Sequence, residues 1–119
     1  MQKVMVVEDD EDILFIVNHI LKGNGYSVLP ISKCEEAIPK ALTYKPNLIL
    51  FDINLGNCDG RDLCLKLKTE YNFTIPILLF SANVRFASTV SNYKADGFIP
   101  KPFDLENFVS IVKEQLNPQ

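Results

Sequence analysis

The sequence predicts an α/β domain: a doubly wound, five-stranded parallel sheet in strand order 2-1-3-4-5 with helices on both faces. Short apolar runs alternate with helix-length amphipathic stretches five times along the chain, the pattern of repeated βαβ units. Three of the runs, Val4 to Val7, Leu48 to Phe51 and Ile77 to Phe80, are continuously apolar, as central parallel strands buried on both faces require. The residues directly after these runs are acidic or hydroxylic rather than apolar, which marks one end of the sheet as chemically distinct.

Each element has its own local signal. Val28 to Ile31 and Phe98 to Ile99 are weaker runs and read as flanking strands. Ile13, Ile16, Val17, Ile20 and Leu21 recur at helical spacing, with Gly23 and Gly25 as the stop. Ser32-Lys33-Cys34-Glu35 has capping-box spacing for a second helix running to about Tyr44, with Pro39 expected to kink it by removing a backbone hydrogen bond. A third helix follows Asp59-Gly60. The last takes Asp104 as N-cap and turns Leu105, Phe108, Val109, Val112 and Leu116 to one face. Val84 to Tyr93 contains Ser88, Thr89, Val90, Ser91 and Asn92, all mediocre helix formers, so a short or mobile segment is expected there. Asn117-Pro118-Gln119 reads as a polar tail.

Composition narrows the function. A chain of 119 residues, 47% hydrophobic and 23% charged, is the size of one domain, 1–119, with a packed core. A formal net charge of −3, with no basic stripe, argues against direct nucleic-acid binding. Four apolar residues before Glu8-Asp9-Asp10-Glu11-Asp12 are too few for a signal-peptide core or a membrane span, so no membrane partner and a cytoplasmic protein are expected. Cys34, Cys58 and Cys64 are odd in number and lack zinc or CxxC spacing, which reads as three reduced, structural cysteines. His19 stands alone in a helical pattern and is assigned no function.

In an open parallel sheet, ligands bind beyond the carboxyl ends of the strands. Glu8 and Asp9 follow the first run, Asp52 the third, Ser81 the fourth and Lys101 the fifth. Right-handed crossovers in the order 2-1-3-4-5 gather them into one crevice. Three carboxylates in close quarters need a cation, and oxygen ligands of this kind suit Mg²⁺. Lys101 adds a charge suited to a phosphate oxygen. Acid cluster, hydroxyl and lysine together describe a phosphoryl-transfer site. The plainer reading, a solvated acidic run at a helix amino terminus, is adopted for Asp10 to Asp12. For Glu8, Asp9 and Asp52 it would leave Ser81 and Lys101 unexplained.

These fragments, Val6-Val7-Glu8-Asp9-Asp10, Asp52-Ile53-Asn54 through Asp59-Gly60, Ser81-Ala82 and Lys101-Pro102-Phe103, resemble the receiver domains of two-component response regulators from end to end. The resemblance implies a flavodoxin-like fold of the chemotaxis-regulator type and a phosphorelay role. Asp52 would accept the phosphoryl group from a histidine kinase or histidine phosphotransfer protein. Glu8, Asp9, Asp52 and the Asn54 carbonyl would form the Mg²⁺ site, open also to Mn²⁺, with Glu8 acting through water. Ser81, the Ala82 amide and Lys101 would bind the phosphoryl oxygens. Ser81 and Phe98 would act as the switch, although Phe98 is also readable as plain core, and Pro102 would follow a cis peptide bond. A monomer or weak dimer that catalyses only its own phosphorylation and dephosphorylation is implied. Two departures stand out: Gly56 replaces a frequent proline, which is expected to loosen the loop beside Asp52, and Lys94 replaces the glycine that usually ends the fourth helix.

Two rivals belong to other classes. A small aspartyl-phosphate phosphatase would also need an Asp at a strand end, Mg²⁺ and a lysine, but its second carboxylate two residues on is here Asn54, and a cap domain is lacking. A receiver-like interaction module without chemistry would not need the complete set of side chains found here.

Overall fold

A computed structural model describes residues 1–117. Five parallel strands, β1 (Lys3–Val7), β2 (Ser27–Ile31), β3 (Leu48–Asp52), β4 (Ile77–Ser81) and β5 (Gly97–Pro100), form one sheet in the order 2-1-3-4-5. The two weaker runs are the edges, and the edge position of β2 explains how it tolerates the exposed Pro30. The fold class is therefore as expected. Helices α1 (Glu11–Gly23), α2 (Ala37–Tyr44), α3 (Gly60–Thr69) and α4 (Leu105–Leu116) cover both faces, and a 3-10 segment occupies Val84–Tyr93. No helix among the described residues is long and apolar enough to cross a membrane.

Two cores sandwich the sheet. Alternate strand residues Met5, Val7, Ile49, Phe51, Ile77 and Leu79 pack against α2 and α3 through Ala37, Ala41, Cys64 and Leu67. Their neighbours Val4, Val6, Leu48, Leu50, Leu78 and Phe80 pack against α1 and α4 through Leu14, Val17, Leu21, Phe108 and Val112. The period of two that splits the strands between the cores is the pleat itself. Register fixes the functional end: Val7 pairs with Phe51 and Asp52 with Phe80, so β1, β3 and β4 stop at nearly the same level.

Several local expectations give way. The segment at Cys34–Glu36 is a 3-10 turn with no side-chain cap, and the α-helix starts only at Ala37, so the capping box does not form. That later start puts Pro39 in the first turn, where its missing N–H has no intrahelical acceptor to lose and no kink is needed. On α1 the buried stripe is Leu14, Val17 and Leu21, while Ile16 is 48% exposed; on α4, Leu105 is 51% exposed. Both exposed residues border one groove with Ile13, Pro102 and Phe103. Cys34 and Cys58 are joined in a disulfide rather than reduced, and Cys64 is the free, buried cysteine. Their 24-residue separation carries no spacing signal; the crossovers after β2 and β3 bring the two loops together. Of the expected polar tail, Pro118 and Gln119 lie outside the described residues.

Candidate functional site

The chain leaves each strand into the same cleft. Glu8 follows β1, and its N–H donates to the Ile31 carbonyl at 3.0 Å, so the residue is anchored to the sheet. Its side chain is 1% exposed and accepts the Asp10 N–H at 3.1 Å. Asp10 is also the N-cap of α1, its carboxylate accepting from the Asp12 and Ile13 amides. One short stretch thus divides its acids between helix capping at Asp10 and the cleft at Glu8 and Asp9.

Asp52 is the last residue of β3 and is 4% exposed. Its backbone is closely covered by Gly60, the first residue of α3, where a Cβ would collide with the Asp52 carbonyl oxygen. Glycine there lets the helix amino terminus seat directly on the strand end. The intervening loop is folded tightly: Leu55 N–H donates to the Cys58 carbonyl at 3.1 Å, Gly60 N–H to Ile53 at 2.8 Å, and Asn54 pairs with Asp59 in an isolated antiparallel bridge. Gly56 adopts φ +78°, a left-handed conformation closed to proline. Glycine here takes a turn that proline could not, and these hydrogen bonds span the loop.

Carboxylate oxygens of Glu8, Asp9 and Asp52 all lie within 4.8 Å of one another. Lys101 Nζ faces them, donating to Glu8 Oε2 at 2.9 Å and standing 3.4 Å from Asp52 Oδ1. One ammonium against three carboxylates leaves the cluster short of positive charge. Burial, reinforced by the charge of Asp52, raises the Glu8 pKa to about 7 even with Lys101 beside it. Burial raises Asp52 as well. Deprotonated oxygens at this spacing, with Asp9 exposed to solvent, fit a small hard cation that keeps part of its water.

The cleft, about 600 Å³, is lined by Glu8, Asp9, Asp52, Asn54, Ser81, Ala82 and Lys101, so the structure brings these sequence-derived candidates together. Ser81 is 5% exposed, and its Oγ accepts the Asn83 N–H at 3.0 Å. The Lys101–Pro102 bond is cis. Pro102 itself lies in the adjoining groove, and Phe98 lies off the cleft, half-buried against the core beside α3 with Phe86 and Val90.

Sequence reasoning missed Arg61. Its guanidinium pairs with Asp59 at 2.7 Å, lies over Phe86 and Tyr93 at 4.4 and 4.9 Å from the ring centroids, and donates to Thr89 Oγ1 at 3.3 Å. Burial opposes ionisation of Asp59, but the hydrogen bonds and charge of Arg61 outweigh it and hold the carboxyl below its usual range. Arg61 thereby ties the 3-10 segment, which buries no residue fully, to the loop after Asp52. Its only sequence signal was a basic residue beside the Asp59 cap. Asn83, Phe86 and Cys58 also line the cleft and carried no signal of their own.

A parallel sheet of this order with an acidic cleft at the ends of β1, β3 and β4 defines a receiver-type signalling domain. The chain matches the response regulator receiver domain over residues 4–113 and belongs to that family. It is 36% identical over 104 residues to the alkaline phosphatase synthesis transcriptional regulatory protein PhoP of Bacillus subtilis, covering 86% of this chain and 43% of that protein. It is 30% identical to the response regulator ArlR of Staphylococcus saprophyticus, covering 100% of this chain and 54% of that protein. The chain thus spans about half the length of these curated relatives. Among solved structures it resembles a two-component response regulator from Clostridium difficile, with a TM-score of 0.90 and 28% identity over 99% of this chain and 98% of that one. A CheY-like receiver domain protein from Methanospirillum hungatei gives a TM-score of 0.89 and 27% identity over 98% and 94%. Receiver domains bind Mg²⁺, and the acidic cluster for it is present here.

Proposed function

We propose that this receiver takes a phosphoryl group onto Asp52 in a Mg²⁺-dependent reaction and passes on the signal by changing shape. The observation that carries the reading is the Glu8, Asp9 and Asp52 cluster, its oxygens within 4.8 Å, with the Lys101 ammonium 3.4 Å from Asp52. Asp9, Asp52 and the Asn54 carbonyl would hold Mg²⁺ directly, with Glu8 acting through water, and Mn²⁺ would substitute. An ion held there would supply positive charge to offset the carboxylates and the transferring phosphoryl group.

The donor is a phosphohistidine on a kinase or phosphotransfer protein. An Asp52 carboxylate oxygen forms the new bond to phosphorus as the nitrogen–phosphorus bond breaks, and the imidazole leaves with the electron pair and takes up a proton. Lys101, the Ser81 hydroxyl and the Ala82 amide receive the phosphoryl oxygens. The chain promotes only its own phosphorylation and dephosphorylation. It works in the cytoplasm as a receiver unit spanning 1–119, a monomer or weak dimer reading out to another protein, without binding nucleic acid or membrane itself. Incubation with acetyl phosphate and Mg²⁺ followed by intact mass measurement tests this: one acid-labile phosphoryl group is gained, and Asp52→Asn gains none. Undiminished labelling of Asp52→Asn would overturn the assignment.

A further inference from the structure

We infer that Cys34 and Cys58 form a reversible thiol–disulfide site that clamps the loop after Asp52 to the start of the second crossover. The connection to signalling rests on the receiver reading above; the clamp itself does not. Cys34 opens the 3-10 turn after β2, and Cys58 sits between Asn54 and the Asp59 cap of α3. Their Cα atoms are 6.3 Å apart, inside the disulfide range of about 4.4–6.8 Å. Cys58 lines the cleft, and the Leu55 N–H donates to its carbonyl, so it belongs to the same turn that carries Asn54.

Both redox states have a place in this packing. Asn57 Oδ1 lies 3.4 Å from Cys34 Sγ, ready to accept from a Cys34 thiol once the bond is broken. Cys64, the remaining cysteine, donates to the Tyr93 carbonyl at 3.5 Å, and its burial pushes the thiol up to about 12, so it does not compete. In a reducing compartment a disulfide is transient and responsive rather than structural. Oxidation proceeds by exchange with a small-molecule disulfide. The Cys58 sulfur, the more exposed of the pair, gives its proton to water and attacks, forming a mixed disulfide and releasing one small thiolate, which is protonated. The Cys34 sulfur then loses its proton and displaces the second. Two protein thiols are oxidised, and one disulfide is reduced to two thiols. The closed bond restrains the Asn54 to Asp59 loop, whose left-handed Gly56 is otherwise held by local hydrogen bonds, among them its own N–H to Asn54 Oδ1 at 3.3 Å.

The test equilibrates the protein in glutathione buffers from reducing to oxidising, then quenches in acid and alkylates under denaturing conditions. Intact mass should fall from three alkyl adducts to one across the series. Amide exchange at 54–59 should slow by about threefold or more in the oxidised form. Cys34→Ser and Cys58→Ser should each remove that redox dependence, while Cys64→Ser keeps it. Three adducts in every buffer, glutathione retained on Cys58 as the sole product, or exchange that ignores the buffer would overturn the clamp. A Mg²⁺ titration of both forms separates the two readings: clamp behaviour without Mg²⁺ binding supports the clamp and removes the receiver chemistry, and Mg²⁺ binding with three adducts throughout does the reverse.

Discussion

Lys101 Nζ lies 2.9 Å from Glu8 Oε2, closer than to Asp52 Oδ1 at 3.4 Å, across a separation of 93 residues. The lysine is thus engaged first with the most deeply buried acid of the cluster. Its ammonium also lies 4.8 Å from the centre of the Phe80 ring, a contact that favours the cation. A metal held by this cluster would therefore act on the same carboxylates as the lysine.

Glu8 makes the metal-free protein pH-sensitive in an unusual direction. Its folded pKa of about 7 lies above the ordinary value of 4.5, so the proton stabilises the fold. That contribution is fully present below pH 4.5 and is lost as pH rises through about 7. A shift of this size corresponds to something on the order of 3 kcal/mol. Asp52, also raised, works in the same sense. Urea unfolding in the presence of chelator should show lower stability at pH 8 than at pH 5, and saturating Mg²⁺ should shrink the difference. Stability that climbs between pH 5 and 8 in chelator would contradict this account of the cluster.

Lys101→Ala should leave Mg²⁺ affinity at least equal to that of the unaltered protein. The substitution removes a cation that competes for Glu8 and Asp52, whereas Asp9→Ala removes a carboxylate from the cluster. The phosphorylated protein should nevertheless lose its conformational response, since the phosphoryl oxygens lose their ammonium. Mg²⁺ titration followed spectroscopically decides the first half. A loss of affinity as large as that of Asp9→Ala would mean that Lys101 organises the acids rather than competes with the ion.

What was legible in the sequence follows from geometry with a short reach. The runs ending at Val7, Phe51 and Phe80 are apolar throughout because both faces of β1, β3 and β4 are covered, and that burial made strand ends, and hence Glu8, Asp52 and Ser81, readable. Lys101 follows the weaker edge run Phe98 to Ile99, and its N–H bonds to the Ser81 carbonyl as β5 ends. The start of α2 was not: a 3-10 turn and an α-turn share nearly the same residue preferences, so Ser32 and Glu35 could not tell a start near Lys33 from one at Ala37. The Cys34–Cys58 bond and the stacking of Arg61 on Phe86 and Tyr93 join elements far apart in the chain. Contacts of that kind depend on how crossovers seat, which no local pattern records.

Arg61→Ala should loosen the 3-10 segment selectively. Both partners of the Arg61–Asp59 pair retain some exposure, 15% and 31%, so the ion pair itself contributes little. The two ring contacts and the Thr89 hydrogen bond make up most of an expected destabilisation of about 1–2 kcal/mol. Native-state hydrogen exchange should accelerate between Val84 and Tyr93 and remain unchanged in β1 and β3. Equal acceleration throughout the sheet would show a global effect and remove Arg61 as a tether.

Phosphorylation of Asp52 should change hydrogen exchange most between Ser81 and Lys101. In the unphosphorylated chain the Ser81 hydroxyl oxygen accepts from Asn83, which also caps the 3-10 segment through Arg85 N–H. A phosphoryl oxygen on Asp52 offers the Ser81 hydroxyl a charged acceptor, and drawing the hydroxyl toward it pulls on the loop that starts this segment. The segment is poorly placed to resist. It holds 3-10 geometry for ten residues, buries none of them fully, and ends at Lys94 with φ 60°, a left-handed conformation unfavourable for a residue with a Cβ. Phe98 packs against the same core cluster as Phe86 and Val90 of this segment, and a ring without a hydroxyl has no hydrogen bond holding it at the surface. Switching elements are drawn from the less stable parts of a fold, and this is such a part. Exchange of the free and phosphorylated proteins, compared residue by residue, is the measurement. Changes confined to Glu8 and Asp52, with Val84 to Phe98 unaltered, would rule out this face as the output surface.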